Sequence, residues 1–208
     1  GAVPREFEIT ENGKIVDLTS EESSIHNQII RGGVKIQKRD LETKDAKPQG
    51  GATLENTEFT ITSLNESPVL VEGSFYKKND VVKTIRTGAD GIASTASDTL
   101  PYGKYRIDES KAPEGYLTAG AVSHEFEITE NGKIIDLTGE ESSVYNQIIR
   151  GGVKIQKRDL ETKDTKPQGG ATLKDTEFTI TSLNENAVLV GGKLFNKNEV
   201  VKTIHTGI

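Results

Sequence analysis

Three side chains of different chemistry fall at positions whose strand phase turns them inward: the amine of Lys38, the carboxyl of Glu109 and the carboxamide of Asn146. Lys38 follows Val34 and Ile36 at period two, Glu109 follows Tyr105 and Ile107, and Asn146 lies between Val144 and Ile148. Residues two apart share one face of a strand, so the face that buries the apolar residues also buries the polar group. A carboxylate removed from water costs on the order of several kcal/mol unless it is paired or protonated. A desolvated amine gives up its proton more readily and becomes a nucleophile, and an acid beside a carboxamide can polarise the carbonyl and relay protons. Amine, acid and carboxamide are thus the ingredients of an amide bond between side chains, made with release of ammonia. Such a reaction runs once per molecule, so it is maturation and not turnover, and an enzyme acting on an external substrate is not expected. Each residue also has a plainer reading. Glu109 can be a surface glutamate at a strand end, Lys38 a lysine whose stem packs while its amine stays wet, and Asn146 a satisfied buried amide.

The elements that must position these groups are strands. Pro101-Tyr-Gly103 leads into the strand of Glu109, and Ala112-Pro-Glu-Gly115 leads out through a turn, with Pro113 setting φ and Gly115 free to adopt positive φ. Lys47-Pro-Gln-Gly-Gly51 is a turn by composition and precedes an alternating β-branched strand over 58–62. Val69-Leu-Val71 and 81–85 read as further strands, joined by a polar connection over 73–80. Thr87-Gly-Ala-Asp-Gly91 is another turn. Phe126-Glu-Ile128 and Lys133-Ile-Ile135 flank Asn131-Gly132, which predicts a hairpin. A last strand is expected over 143–148. No stretch has helical period or caps, so the chain is expected to be all-β, a Greek-key Ig-like sandwich of about seven short strands per unit.

The units recur. Residues 1–88 reappear as 120–207, with roughly four positions in five identical, and 27–45 return unchanged as 146–164. This predicts sandwich repeats in tandem: 1–31 as the C-terminal part of one repeat, 32–149 as a complete repeat, and 151–208 as the N-terminal half of a third. The junction Ile149-Arg-Gly-Gly-Val153 leaves almost no linker, so neighbouring repeats are expected to stack as a stiff rod. Within the partial repeats Asn27 is the equivalent of Asn146 and Lys157 that of Lys38, and a split sandwich assembled head to tail between two chains is one expectation.

Composition narrows the function. The chain has 208 residues, 33% hydrophobic and 28% charged, which predicts a thin core. Its net charge of −6 comes from acids and bases mixed along the whole length, which argues against nucleic-acid binding and anionic lipid. No apolar run is long enough to span a membrane. Cysteine is absent, so disulfides and thiolate metal sites are excluded.

Gly33-Val-Lys-Ile-Gln-Lys-Arg-Asp40, Tyr105-Arg-Ile-Asp-Glu-Ser-Lys-Ala-Pro-Glu-Gly-Tyr116 and Val144-Tyr-Asn146 resemble, in order and spacing, the opening-strand lysine, glutamate box and closing-strand asparagine of CnaB-type (SpaA-like) domains of Gram-positive adhesins and pilins. The resemblance covers 32–149. It departs at 50–59, which is longer than the family's usual Gly-Ala-x-Phe segment. It implies a prealbumin-like sandwich and a spontaneous isopeptide bond between Lys38 and Asn146 with Glu109 as its catalyst. It further implies a stalk repeat of a secreted, cell-wall-anchored adhesin, with no cofactor. A host-ligand-binding module is the alternative, using the loops of 63–80, where Ser67, Pro68, Glu72, Ser74, Phe75 and Tyr76 differ between repeats. A host surface or matrix protein would then be the partner.

Weaker signals are read blandly. His26, His124 and His205 lack metal-ligand spacing and are expected at the surface. Arg31-Gly-Gly33 and Arg150-Gly-Gly152 read as hinges and not RNA-binding motifs. Asp40, Glu42 and Asp45 read as a solvated loop in preference to a calcium site, and Lys78 in Tyr76-Lys-Lys-Asn79 as an exposed loop lysine.

Overall fold

The computed structural model describes residues 4–118 and 122–207, so residues 1–3 of the leading segment, 119–121 of the central one and 208 lie outside the described residues. Among the described residues every regular element is a strand. The central one is β1 (Arg31–Asp40), in which Val34 and Ile36 alternate with Lys35 and Gln37 and are completely buried. It pairs in parallel with β10 (Ile134–Leu137) and β11 (Val144–Asn146), and antiparallel with β6 (Ile92–Ser94) and β7 (Leu100–Pro101). Facing it is a four-stranded antiparallel sheet in the order β5 (Val81–Arg86), β2 (Glu58–Ser63), β8 (Gly103–Lys111), β9 (His124–Ile128). A short hairpin, β3 (Val69–Val71) with β4 (Ser74–Tyr76), completes this part of the chain. Val34 and Ile36 from one sheet and Phe59, Ile61, Tyr105 and Ile107 from the other meet in one core.

Two local expectations are corrected. The connection over 73–80 is not wholly irregular, because Glu72 and Gly73, both at positive φ, turn the chain back into β4 against β3. Asn131-Gly132 does not close a hairpin between its flanking strands. β9 pairs with β8 in one sheet and β10 with β1 in the other, so the turn carries the chain between the two sheets. Its own polar groups go to β1: the Arg31 amide donates to Asn131 Oδ1 at 3.1 Å and the Gly132 amide to Arg31 O at 2.7 Å.

Residues 177–205 form two separate hairpins, β12 (Glu177–Thr181) with β15 (Val200–His205) and β13 (Val188–Val190) with β14 (Lys193–Phe195). These correspond to β2 with β5 and β3 with β4. Residues 4–30 and 151–159 hold no strand.

Candidate functional site

Lys38, Glu109 and Asn146 meet between the two sheets. The lysine comes from β1, two residues before its end, the asparagine from the end of β11 beside it, and the glutamate from β8 in the facing sheet. Glu109 sits opposite Phe59, and the pairing with β2 shifts by one residue immediately after it, so that Glu58 faces Lys111. Such a bulge re-aims side chains locally, and here it ends the regular ladder at the acid. The entrance to the strand is held by Tyr105, whose ring stacks on Phe126 at 5.8 Å and whose hydroxyl donates to Pro101 O at 2.9 Å.

The Lys38 and Glu109 side chains are both 0% exposed, and Lys38 Nζ lies 3.2 Å from Glu109 Oε2. The other carboxylate oxygen, Oε1, accepts a 2.6 Å hydrogen bond from Asn146 Nδ2, and Asn146 is likewise 0% exposed. The amine also donates to Val144 O at 2.9 Å. Burial lowers the Lys38 pKa to about 8, against the opposing pull of Glu109 and Asp40. Asn146 Oδ1 and Glu109 Oε2 are buried without a hydrogen-bond partner. Glu109 Oε2 faces the Lys38 amine as an ion partner, so Asn146 Oδ1 is the polar atom of the three side chains left without one, a rarity in folded interiors. The dry interior holds a nucleophile of lowered basicity, a carboxyl touching both partners, and an amide whose nitrogen faces that carboxyl.

The Asn27 and Lys157 side chains, equivalents of the closing and opening residues, are exposed. His26 and His205 are exposed, whereas His124 is half-buried on β9, where desolvation lowers its pKa and leaves Nε2 without a partner. This corrects the expectation of a surface histidine: His124 pairs with Ile107 across the sheet beside the core. Lys78 is exposed and pairs with Glu66.

Asp40 is the clearest departure from the sequence reading. It is 0% exposed, not solvated. Its carboxylate accepts the Tyr116 hydroxyl at 2.8 Å, both oxygens accept Gln49 Nε2 at 3.1 and 3.0 Å, and Oδ1 accepts the amides of Glu42 and Thr43 at 2.8 and 2.9 Å. Burial and the adjacent Asp40 carboxylate push the Tyr116 pKa up. The signal was present, because Asp40 continues the inward phase of Val34, Ile36 and Lys38. Its partners could not be foreseen from spacing, since Tyr116 and Gln49 reach it from separate turns. Among the described residues no cluster of three or more His, Cys, Asp or Glu is placed to hold a metal.

The SpaA prealbumin-like fold domain family matches residues 32–143, more than half of the chain. No curated protein sequence matches it. Among solved structures, the chain is similar to the Bacillus anthracis TIE protein, with 26% identity over 85% of this chain and 27% of that one and a TM-score of 0.47. It is similar to the group B streptococcus pilus 2b backbone protein, with 21% identity over 62% of this chain and 46% of that one and a TM-score of 0.40. It is also similar to a streptococcal ancillary pilin, with 21% identity over 86% and 47% and a TM-score of 0.39. The chain thus spans less than half the length of each of these structures. Through its central 112-residue match, the chain belongs to the SpaA-type prealbumin-like fold family.

Proposed function

We propose that the chain is a load-bearing segment of a Gram-positive cell-surface protein, in which Lys38 and Asn146 are joined by a self-made isopeptide bond. The observation that carries this reading is the Glu109 carboxyl buried between the two, one oxygen toward the amine and the other toward the leaving nitrogen. Neutral Lys38 Nζ attacks Cγ of Asn146, and a new C–N bond forms. Glu109 collects the proton that the amine sheds and delivers it to Nδ2. The bond from Cγ to Nδ2 then breaks, ammonia leaves, and the acid is returned to its starting state. No water is consumed, and exclusion of water protects the amine from protonation.

The topology suits the role. β1 and β11 are parallel neighbours, with Lys38 opposite Val144 and Asp40 opposite Asn146, so the cross-link ties β1 to β11, the strands at the two ends of the 31–146 segment. Tension entering near Lys38 leaves near Asn146 through covalent bonds, and the intervening strands carry little of it. A chain with no cysteines gains in this way a staple that reduction cannot open. Attachment to a cell wall and a place in a longer stalk belong to the same proposal.

Single-molecule pulling tests it. The wild-type segment between residues 38 and 146 should never extend, while Glu109→Ala should release about 370 Å of extra length at roughly 3.4 Å per residue. Equal extension in both proteins would refute the load-bearing reading.

A further inference from the structure

The hydrogen bonds between 42–50 and 150–189 form a joint whose pieces recur elsewhere in the chain. Gln49 is 4% exposed and works in two directions. Its Nε2 holds the Asp40 carboxylate, and its Oε1 accepts the Leu189 amide of β13 at 2.8 Å. Beside it the Gly50 amide donates to Ala187 O at 3.1 Å, and Asn186 Nδ2 donates to Gly50 O at 3.0 Å. Arg150 closes the joint by pairing with Glu42 and donating Nη2 to Leu189 O at 2.7 Å. Gly50 has φ +57°, and an added Cβ would lie 3.1 Å from Val188 Cγ1, so the close approach needs glycine.

The seated hairpin, β13 with β14, has its counterpart in β3 with β4. There Arg31 Nη2 donates to Leu70 O at 2.9 Å, the bond that Arg150 makes to Leu189. Leu70 and Phe75 are cross-strand partners as Leu189 and Leu194 are, and they stand 39% and 75% exposed. The receiving corner is also rebuilt. Gln168 Nε2 donates to Asp159 Oδ1 at 2.9 Å and Glu161 Oε2 at 3.1 Å, as Gln49 Nε2 donates to Asp40 and to Glu42 Oε2 at 3.3 Å.

We propose that the outer face of β3 and β4, with Arg31 at its base, is a docking surface for the Gln-Gly corner of another copy of this repeat. The repeats would then stack in one direction, a hairpin of one on the corner of the last. The occupant follows from continuity with the joint already made inside the chain: the same hairpin, arginine and corner are engaged there, and the chain carries a second set of each. Ser67 and Pro68 replace Asn186 and Ala187, so the new joint lacks the carboxamide bond but keeps the carbonyl and the Leu70 amide. Docking stands whether or not Lys38 and Asn146 are joined, because none of its groups is in that site.

The absence of cysteine allows a clean test. A Ser67→Cys chain is mixed under mild oxidation with a Gly169→Cys chain, and separately with Gly170→Cys, where an added Cβ meets nothing within 4 Å. The comparison mixture pairs Ser67→Cys with Glu130→Cys beside the Asn131-Gly132 turn, which holds no residue of the Gln-Gly corner. Several-fold more heterodisulfide with a corner cysteine than with Glu130→Cys is the expected result. Equal yields from all three mixtures would overturn the docking surface. The double variant Gly51→Cys, Asn184→Cys, at a position where an added Cβ would lie an ordinary 3.5 Å from Asn184 Oδ1, should close within one chain, and its failure to do so would remove the joint on which the proposal is built.

Discussion

Residues 34–40 and 153–159 are the same seven amino acids, Val-Lys-Ile-Gln-Lys-Arg-Asp, in two different structural states. The first copy is the heart of β1, with Val34, Ile36, Lys38 and Asp40 fully buried. The second forms no strand, and Val153 and Ile155 are 57% and 40% exposed. Yet the turn that follows is the same in both: Asp159 Oδ1 accepts the amides of Glu161 and Thr162 at 2.9 Å, as Asp40 Oδ1 accepts those of Glu42 and Thr43. The neighbouring hairpins also match, down to the register shift after Ile61 in β2 and after Ile180 in β12. Turns and hairpins draw their hydrogen bonds from a few residues nearby, so they form in either copy. The opening strand of the first copy draws its bonds from β6, β7, β10 and β11, and among the described residues the second copy pairs with no counterpart of these. Strand identity here is a property of the neighbours and not of the seven residues.

The largest effect that would break this contrast is loss of the cross-link. Glu109→Ala should leave Lys38 unreacted and lower the stability of the central sandwich by about 4–5 kcal/mol, the loop-closure value for roughly a hundred residues. Denaturant unfolding monitored in residues 32–149 reads it, and the β12 and β15 hairpin should be unaffected. Next comes a matched glycine pair. An added Cβ at Gly33 would lie 2.4 Å from Ala96 O, whereas at Gly152 nothing lies within 4 Å. Gly33→Ala should therefore cost about 3 kcal/mol by overpacking against backbone, and Gly152→Ala less than about 0.5 kcal/mol. Equal effects would mean that the two copies share one environment after all.

A smaller change sharpens the comparison at the buried acid. Tyr116→Phe removes the hydroxyl donor from Asp40 and should cost about 2 kcal/mol, the scale of a hydrogen bond to a charged group, by thermal or chemical unfolding. The remaining effect is a pH dependence. In Asn146→Ala the amine stays free, and its folded pKa of about 8 lies below the unfolded value of 10.5. Between those values the unfolded chain binds the extra proton, so stability rises with pH above about 8 and gains nothing from this group below it. In a cross-linked wild type Lys38 is an amide and contributes no such slope, which parallel unfolding series at several pH values would reveal.

The period-two phase of Val34, Ile36 and Lys38 and of Tyr105, Ile107 and Glu109 was legible without coordinates because burial on a pleated sheet repeats every second residue. The same phase reached Asp40, but an acid next to Leu41-Glu-Thr-Lys reads as the start of a solvated turn until Tyr116 and Gln49 are seen to close over it. Asn131-Gly132 misled for a related reason. An Asn-Gly pair specifies a tight reversal, not which strands flank it, and β1 outcompeted β9 as the partner of β10. The strand β4 escaped notice because Ser74-Phe-Tyr76 is short and outward-facing, and its pairing is set by positive φ at Glu72 and Gly73.

Intact mass of the wild type and of Glu109→Ala tests the central claim most directly. The account predicts a wild type lighter than its sequence by one ammonia, a branched peptide joining Lys38 to Asn146, and a Glu109→Ala protein at its full sequence mass. A wild type at full mass would contradict it, and so would a deficit that survives the loss of Glu109.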